Sequence, residues 1–286
     1  MILLKFIITI LLIATSLLAQ VPDIVPLSWL QKHYNDNNLV LIDVRDAKKF
    51  HKSHLKKAVN VPVFDKLFYG PKMVMPPLTQ LKKIFSQAGI DDKSEIVVYG
   101  GTNPIWSARF YWISKVLGAK NVGILQTSFG NWPKNTFPVT SEIYKPAYKD
   151  FAPKIDNTIL DTKLDVLTSI GKANIIDGRP SEFYVGKKSH AKRHGHIPKA
   201  YNFPGSLTYD TNGSKSSIKE IEQLKELYTN LPHNKPVILY CEDGADAAMN
   251  FLVLKKLGYK VSVYDGSWLE WGNDEYLPVE TKINKP

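Results

Sequence analysis

The sequence predicts an α/β protein built from two tandem domains, each with a mostly parallel sheet flanked by helices. Two observations predict this architecture. Short apolar runs that end in Asp alternate with helical segments that end in Gly. The same series of segments then occurs a second time, in the same order, about 140 residues further on. The 286 residues of the chain are enough for two domains of ordinary size.

The repeat consists of five gapped blocks. The matched ranges are 39–45 with 173–179, 58–62 with 200–204, 95–99 with 236–240, 112–118 with 253–258, and 127–132 with 266–271. The offset grows between Asp177 and Asn202, so the second copy carries an insertion of about eight residues there. Gapped blocks in one order indicate duplicated domains rather than a short-period solenoid.

Each copy is predicted to alternate strands and helices. Apolar runs bounded by turn signals are typical of buried parallel strands. Gly118 and Gly258 stand where glycine ends a helix. The predicted strands are 39–44, 96–99 and 122–125 in the first copy and 174–177, 237–240 and 261–264 in the second, with helices at 108–117 and 247–257.

Residues 1–20 are predicted to be a signal peptide. Lys5 gives a short basic start, and a mostly apolar run from Phe6 to Leu18 precedes Ala19. This run is shorter than a spanning helix requires, and no later run is long enough to cross a membrane. An uncleaved anchor stays open as an alternative. We therefore expect an exported protein, periplasmic if the source is bacterial, with no integral membrane span after cleavage.

The domain boundaries follow from composition. The stretch 141–159 contains Pro146 and Pro153 and shows little periodicity. We predict a first domain over 21–145, a linker over 146–159 and a second domain over 160–286.

The net charge of +10 comes from lysines spread along the chain, without an arginine-rich arm. This distribution indicates a generally basic surface, and together with export it argues against nucleic acid as a partner. Cys241 is the only cysteine, so an internal disulfide is excluded. A lone thiol in an oxidising compartment is expected to be either buried or used.

The sequence around Cys241 favours a functional thiol over one that is merely buried. Cys241 follows an apolar run that ends at Tyr240 and precedes a helix predicted to begin near Ala247. In an open α/β sheet this is the usual position of a ligand. Loop amides and a helix N-terminus favour a thiolate there, and Gly244 supplies the backbone freedom that such a loop needs.

These motifs resemble the tandem-domain rhodaneses, the thiosulfate and 3-mercaptopyruvate sulfurtransferases. The likeness covers nearly all of the chain after the signal and rests on 177–179, 195–198 with Ala200 and Asn202, the Cys241 loop, and 265–268. It implies that Cys241 is the catalytic nucleophile, and that the loop residues Glu242, Asp243, Gly244, Ala245, Asp246 and Ala247 bind the thiolate and its persulfide. Arg179 is expected to pair with Asp177 in the interior and is also a candidate substrate contact.

The first domain departs from this pattern. Gly100 stands where the cysteine would be, so the first domain is predicted to be noncatalytic and to wall the cleft. Related phosphatases place an arginine after the cysteine to grip phosphate. No arginine follows Cys241 in the loop or the early helix, which argues against phosphatase or arsenate reductase activity.

The Cys241 loop also departs from the pattern of the rhodaneses that it resembles. Glu242, Asp243 and Asp246 replace basic or small hydroxyl residues, and Phe183 replaces an arginine. These carboxylates disfavour thiosulfate and raise the pKa of a nearby thiol. The basic segment 187–194 could fold over the cleft and compensate, or could be a solvated loop. Its histidines, with His196, do not have metal-ligand spacing, and no metal is expected.

The predicted activity is sulfur transfer from thiosulfate, 3-mercaptopyruvate or polysulfide to a thiol, sulfite or cyanide acceptor, through a Cys241 persulfide and without a cofactor. The acidic loop favours polysulfide or a protein persulfide as the donor. The alternative is a noncatalytic exported binding module in which Cys241 is vestigial.

Overall fold

The computed structural model describes residues 20–133 and 135–286. Nearly all of the predicted signal peptide therefore lies outside the described residues. Within the described residues, no helix has the length and apolar character needed to span a membrane.

The first domain contains a five-stranded sheet whose paired strands are all parallel. The strands are β1 Ile24–Val25, β2 Leu39–Asp43, β3 His54–Leu55, β4 Val59–Asn60, β5 Glu95–Tyr99, β6 Val122–Leu125 and β7 Val139–Thr140. The order of the five-stranded sheet is β1-β6-β5-β2-β4, and β3 and β7 form a separate antiparallel pair. The helices are α1 Leu27–His33, α2 Ala47–Lys52, α3 Val63–Lys66, α4 Leu78–Gln87 and α5 Ile105–Val116.

The second domain repeats this topology. The strands are β8 Leu160–Asp161, β9 Asn174–Asp177, β10 Tyr201–Asn202, β11 Tyr209–Asn212, β12 Lys215–Ile218, β13 Val237–Tyr240 and β14 Val261–Tyr264. The order of the five-stranded sheet, β8-β14-β13-β9-β10, matches that of the first sheet strand for strand. The helices are α6 Lys163–Ser169, α7 Ser181–Tyr184, α8 Ile221–Leu227, α9 Ala245–Lys256 and α10 Ser267–Trp271. The prediction of two α/β domains with mostly parallel sheets is confirmed.

The same strand register recurs in both sheets. Asp43 lies opposite Tyr99 between β2 and β5, and Asp177 lies opposite Tyr240 between β9 and β13. These strands are buried almost throughout, as expected of parallel strands covered on both faces. The register places each Asp at the carboxyl end of its sheet, where the chain turns toward the next helix.

The domains meet through two buried helices. Most residues of α5 and α9 are buried, and a single hydrophobic core that includes residues of both helices extends through both domains. A helix that is apolar on all sides is expected only in an interior. The first domain therefore packs against the helix that follows Cys241, as the sequence predicted for a domain that walls the cleft.

Two further segments join the domains. The antiparallel pair β11–β12 extends from the second domain, and the Ile218 amide donates to the Gln126 carbonyl of the first domain at 2.8 Å. In the linker predicted at 146–159, Phe151 is buried and the Lys154 amide donates to the Leu117 carbonyl at 2.9 Å. The linker thus lies against α5 of the first domain.

Candidate functional site

Cys241 lies at the end of β13, directly before the loop that leads into α9. Its side chain is completely buried. The Gly244 amide donates a hydrogen bond to Cys241 Sγ at 3.1 Å. Gly244 has φ of +88°, a left-handed conformation that glycine adopts readily and that turns the loop back toward the sulfur. The Gly244 amide is therefore one loop amide that is directed at the sulfur.

The motif 265–268 fixes the start of the loop. Ser267 Oγ accepts a hydrogen bond from the Cys241 amide at 3.2 Å and donates to the Tyr264 carbonyl at 2.9 Å. The Trp268 amide donates to the Cys241 carbonyl at 2.9 Å. These contacts hold the loop against the N-terminal end of α10, so this motif positions the cysteine through the backbone.

The electrostatic environment of Cys241 opposes ionisation. Burial raises the pKa of the Cys241 thiol well above its ordinary value, and the negative charges of Asp243 and Asp246 raise it further. The amides of Ala247 and Asp243 act in the opposite direction but do not compensate. The expectation that the loop and helix terminus favour a thiolate is therefore wrong for the free protein, because burial and carboxylates outweigh the amide dipoles.

Arg179 is buried beside Asp177, as the sequence predicted. Its Nε and Nη2 donate to the Asp177 carboxylate at 3.0 and 2.6 Å, and Nη2 also donates to the Gly195 carbonyl at 2.7 Å. Its Nη1 atom is buried without a hydrogen-bond partner in the described part of the chain and lies 3.6 Å from Glu242 Oε2. Most of the donor capacity of Arg179 therefore serves the interior, and only Nη1 faces the loop.

Above the loop lies a cavity of about 230 Å³ between the two domains. The first domain contributes Ile105 and Trp106 to its wall. The second domain contributes the loop carboxylates and the rings of Phe183 and His190. The complete lining is Ile105, Trp106, Arg179, Pro180, Phe183, His190, Glu242, Asp243 and Asp246. Cys241 lies just behind this lining, because Asp243 Oδ1 is 3.9 Å from Sγ.

The basic segment 187–194 does not bring lysine or arginine into this cavity. Arg193 donates to the carbonyls of Leu277, Trp271 and Asp274. Lys188 pairs with Glu182 at the surface. Of this segment only His190 lines the cavity, where its ring lies 5.2 Å from that of Phe183. The segment therefore meets the acidic loop through His190 alone, while its lysines are exposed to solvent.

His196 has a structural environment. Its ring stacks on Tyr184 at 3.8 Å, and Nδ1 lies 2.7 Å from the Tyr184 carbonyl oxygen. Burial lowers its pKa, which favours the neutral ring. This agrees with the structural role expected from the motif that contains it.

The first domain contributes one residue that the sequence analysis missed. Arg109, on α5, is completely buried and donates to Asp265 Oδ1 of the second domain at 2.5 Å. Asp265 Oδ2 in turn accepts from the Met75 amide at 2.6 Å. The signal was available, since a single arginine in an otherwise apolar helix is rarely buried without a partner.

Arg109 also lies directly against the Cys241 loop. A Cβ atom added at Gly244 would stand 2.5 Å from Arg109 Nη1 and 3.1 Å from Asp265 Oδ1. Gly244→Ala is therefore expected to push the loop from the ion pair, weaken the contact between the Gly244 amide and Sγ, and destabilise the protein by at least about 1–2 kcal/mol. Thermal unfolding and the alkylation rate of Cys241 measure both effects.

Gly213→Ala is the matched control for that change. Gly213 also has positive φ, at +59°, but a Cβ there would meet no atom within 4 Å. Gly213→Ala should lower the unfolding temperature only through the backbone strain of alanine at positive φ, and should leave the alkylation rate of Cys241 unchanged. Equal effects of the two substitutions would contradict the contact between Gly244 and Arg109.

Asp246 is the most strongly perturbed carboxyl of the cavity. Burial, followed by the negative charges of Asp243 and Asp177, raises its pKa to about 7. The fold thus favours the neutral carboxyl. The stability gained in this way is present in full below the unfolded-state pKa of about 3.9 and is lost as the pH rises toward 7.

Asp246→Asn is consequently expected to raise stability at pH 8 by about 2 kcal/mol and to leave it nearly unchanged at pH 4, because asparagine is always neutral. It should also accelerate alkylation of Cys241 by removing a nearby charge. Urea unfolding at both pH values measures the difference. Asp92→Asn, at an exposed site, serves as the control, and equal stabilisation at pH 4 and pH 8 would contradict the assignment.

The matching loop of the first domain cannot hold a cysteine without rearrangement. A Cβ at Gly100 would lie 2.9 Å from Ser107 Oγ and 3.2 Å from a Val44 methyl. The Asp-Arg pair is nevertheless retained, since Arg45 and Asp43 repeat the geometry of Arg179 and Asp177. The first domain therefore keeps the Asp-Arg pair of the site, and a side chain at position 100 would require Ser107 and Val44 to shift.

Sequence comparison identifies the family. The model for the rhodanese-like domain matches residues 26–135 and 162–274. The chain belongs to the rhodanese-like domain family. The duplicated topology described above is therefore a pair of rhodanese-like domains, and the resemblance predicted from the sequence motifs is confirmed.

Curated relatives are similar to this rhodanese-like chain over most of its length. A putative thiosulfate sulfurtransferase of Synechococcus elongatus is 30% identical over 271 residues, 89% of this chain and 83% of the relative. The sulfur carrier protein TtuD of Thermus thermophilus is 30% identical over 278 residues, 90% of this chain and 95% of the relative. A thiosulfate sulfurtransferase of Azotobacter vinelandii is 28% identical over 268 residues, 92% and 98% of the two chains. The prediction of an enzyme of the sulfurtransferase class is confirmed at this level.

Solved structures support the rhodanese-like fold. The 3-mercaptopyruvate sulfotransferase SseA from Escherichia coli superposes with a TM-score of 0.76 at 23% identity, covering 86% of this chain and 98% of its own. The wild-type structure of EanB superposes with a TM-score of 0.80 at 19% identity, covering 92% and 70%. At these identities the likeness concerns the fold alone.

Proposed function

We propose that this rhodanese-like chain transfers sulfane sulfur through a persulfide on Cys241. The observation that carries the proposal is the hydrogen bond from the Gly244 amide to Cys241 Sγ, in a loop at the carboxyl end of a parallel strand. An amide directed at a sulfur stabilises negative charge on it. The proposed reaction needs no metal or organic cofactor, because the cysteine sulfur is both the nucleophile and the carrier of the transferred sulfur.

In the proposed reaction, the Cys241 thiolate attacks the outer sulfur of a donor. A bond forms between Cys241 Sγ and that sulfur, the bond between the donor and its outer sulfur breaks, and the donor leaves with the electron pair. The acceptor then attacks the outer sulfur of the persulfide, and Cys241 leaves as a thiolate. The amides of Gly244, Asp243 and Ala247 are proposed to stabilise the sulfur in both steps.

The burial of Cys241 has a consequence for the proposed reaction. The sulfur is fully buried. On the cavity side, Asp243 Oδ1 lies 3.9 Å from Cys241 Sγ. A donor must therefore displace part of the loop at Asp243 to reach Sγ. The loop carboxylates oppose small dianions such as thiosulfate, which supports a protein persulfide as the donor, with polysulfide as the small-molecule alternative.

The test is sulfur transfer by the purified protein. Thiosulfate, 3-mercaptopyruvate and polysulfide are supplied separately with a thiol acceptor, and the rate is compared with that of Cys241→Ser. We expect transfer that rises with pH, because the thiol must ionise, and its loss in the variant. Equal transfer by Cys241→Ser would contradict the proposal.

The second candidate is a noncatalytic binding module. The closed position of Cys241 and its raised pKa favour it, since both reduce the reactivity of the thiol. Transfer by the native protein well above that of a free thiol would exclude it.

We also propose that residues 1–20 are a signal peptide and that the protein acts after export, in the periplasm if its source is bacterial. The basic start and the short apolar run support this proposal. N-terminal sequencing of the protein from its native cells tests it, and a chain that still begins at Met1 in the cytoplasm would contradict it.

A further inference from the structure

We propose that the cavity over Cys241 selects a small thiol acceptor that carries a positive charge, such as a protonated amine. This inference rests on the proposed sulfur transfer and adds the chemical class of the acceptor. It follows from the side chains that line the cavity and from how their charges are already paired.

The cavity has more negative than free positive charge. Glu242 and Asp243 line it together with Asp246, whose raised pKa of about 7 leaves it only partly ionised at neutral pH. Arg179 is the one arginine or lysine among the lining residues, and Asp177 binds it through two of its nitrogens. The carboxylates therefore exceed the compensating cations at the point where an acceptor must approach the sulfur.

The Glu242 carboxylate is incompletely satisfied. Both of its oxygens are buried and accept no hydrogen bond from the described residues. Arg179 Nη1 lies 3.6 Å from Glu242 Oε2, too far to donate a hydrogen bond to it. Buried polar atoms are nearly always hydrogen-bonded in proteins, so the two Glu242 oxygens favour a ligand that donates hydrogen bonds, as an ammonium group does.

The walls of the cavity suit an organic cation. Trp106 from the first domain and Phe183 from the second both line it, and His190 lies beside Phe183. Aromatic faces attract ammonium groups through their quadrupole, most strongly when the group is shielded from water. A volume of about 230 Å³ limits the ligand to a small molecule.

The persulfide strengthens this selection. When the outer sulfur on Cys241 is ionised, it adds a further negative charge behind Asp243. The acceptor thiolate attacks that outer sulfur, a sulfur–sulfur bond forms to the acceptor, the bond to Cys241 Sγ breaks, and Cys241 leaves with the electron pair. The acceptor leaves as a hydropersulfide, and no separate oxidant or reductant is needed. A cationic group on the acceptor offsets the repulsion between its thiolate and these charges.

The first measurement is the charge preference of Cys241 itself. The protein is treated with 2-aminoethyl methanethiosulfonate, which is cationic, and with 2-sulfonatoethyl methanethiosulfonate, which is anionic. Each rate is divided by the rate of the same reagent with a neutral small thiol. We expect the cationic reagent to be favoured at least about tenfold, the effect of one charge-assisted contact.

The second measurement compares acceptors for the preformed persulfide. Cysteamine, 2-mercaptoethanol and 3-mercaptopropionate carry positive, zero and negative charge, and each rate is divided by its rate with a neutral small-molecule persulfide. We expect cysteamine to exceed 3-mercaptopropionate by at least about tenfold after this correction.

A charge-matched pair of variants makes the test specific. Glu242→Gln with Asp243→Asn removes two cavity charges with little change in shape, and should reduce both preferences toward unity. Glu226→Gln with Asp92→Asn removes two exposed charges elsewhere and should preserve them. No preference, or the same loss in both double variants, would overturn the acceptor class while leaving persulfide formation intact. Absence of any persulfide from every donor would overturn the proposed function and the acceptor class together.

Discussion

Replacing Arg109 by methionine is expected to destabilise the protein by about 3–5 kcal/mol, because it leaves the buried Asp265 carboxylate without its cation. The Arg109 side chain is completely buried and that of Asp265 is 11% exposed. Urea unfolding followed by tryptophan fluorescence measures the loss. Alkylation of Cys241 should change as well, since Arg109 lies directly against Gly244 of the Cys241 loop.

Two comparisons separate the ion pair from general packing. Arg109→Met combined with Asp265→Asn removes both charges, so it should recover part of the stability lost by Arg109→Met alone. Lys49→Met breaks an exposed pair with Asp46, in which the lysine side chain is 69% exposed, and should cost less than about 1 kcal/mol. A loss as small for Arg109→Met as for Lys49→Met would contradict the role given to this contact between domains.

Replacing Arg179 by methionine should have an effect of similar size. Asp177 is completely buried and also accepts from the Tyr240 hydroxyl at 2.7 Å. Without Arg179, the carboxylate loses its cation and both nitrogen donors, and we expect a loss of about 3–5 kcal/mol. Chemical unfolding checks the magnitude.

The first domain offers a matched control for Arg179. Arg45→Met breaks the equivalent pair with Asp43 and should cost less because the Arg45 side chain is 10% exposed, against 1% for Arg179. The substitution Arg179→Lys decides between a structural and a substrate-binding role. It keeps the charge but loses the paired hydrogen bonds, so it should reduce stability and leave the KM for anionic donors unchanged. A raised KM with unchanged stability would show that Arg179 binds substrate.

The sheets could be predicted because their signals are local. The apolar runs 174–177 and 261–264 coincide with β9 and β14. Asp177 ends β9 and lies opposite Tyr240 of β13, at the carboxyl end of the sheet. The helix after Cys241 begins at Ala245, two residues before the predicted start, because Gly244 ends the loop. Helix boundaries depend on such turn geometry, which hydrophobic periodicity does not contain.

The contacts between the domains could not be predicted in the same way. The hairpin β11–β12 had a local signal, the Gly213-Ser214 pair between two strands, which the sequence analysis did not use. Its attachment to Gln126, and that of Arg109 to Asp265, join residues far apart in the sequence. Burial of Cys241 likewise depends on how both domains close over the loop, so the direction of its pKa could not follow from the loop sequence alone.

Intact mass spectrometry shows whether Cys241 carries sulfur. The reduced protein is incubated separately with polysulfide, thiosulfate and 3-mercaptopyruvate above pH 8, where ionisation of the buried thiol is favoured, and then weighed. We expect a gain of one sulfur atom, largest with polysulfide, that a thiol acceptor removes and that Cys241→Ala lacks. A folded, reduced protein that gains no sulfur from any of the three donors would contradict the proposed role of Cys241.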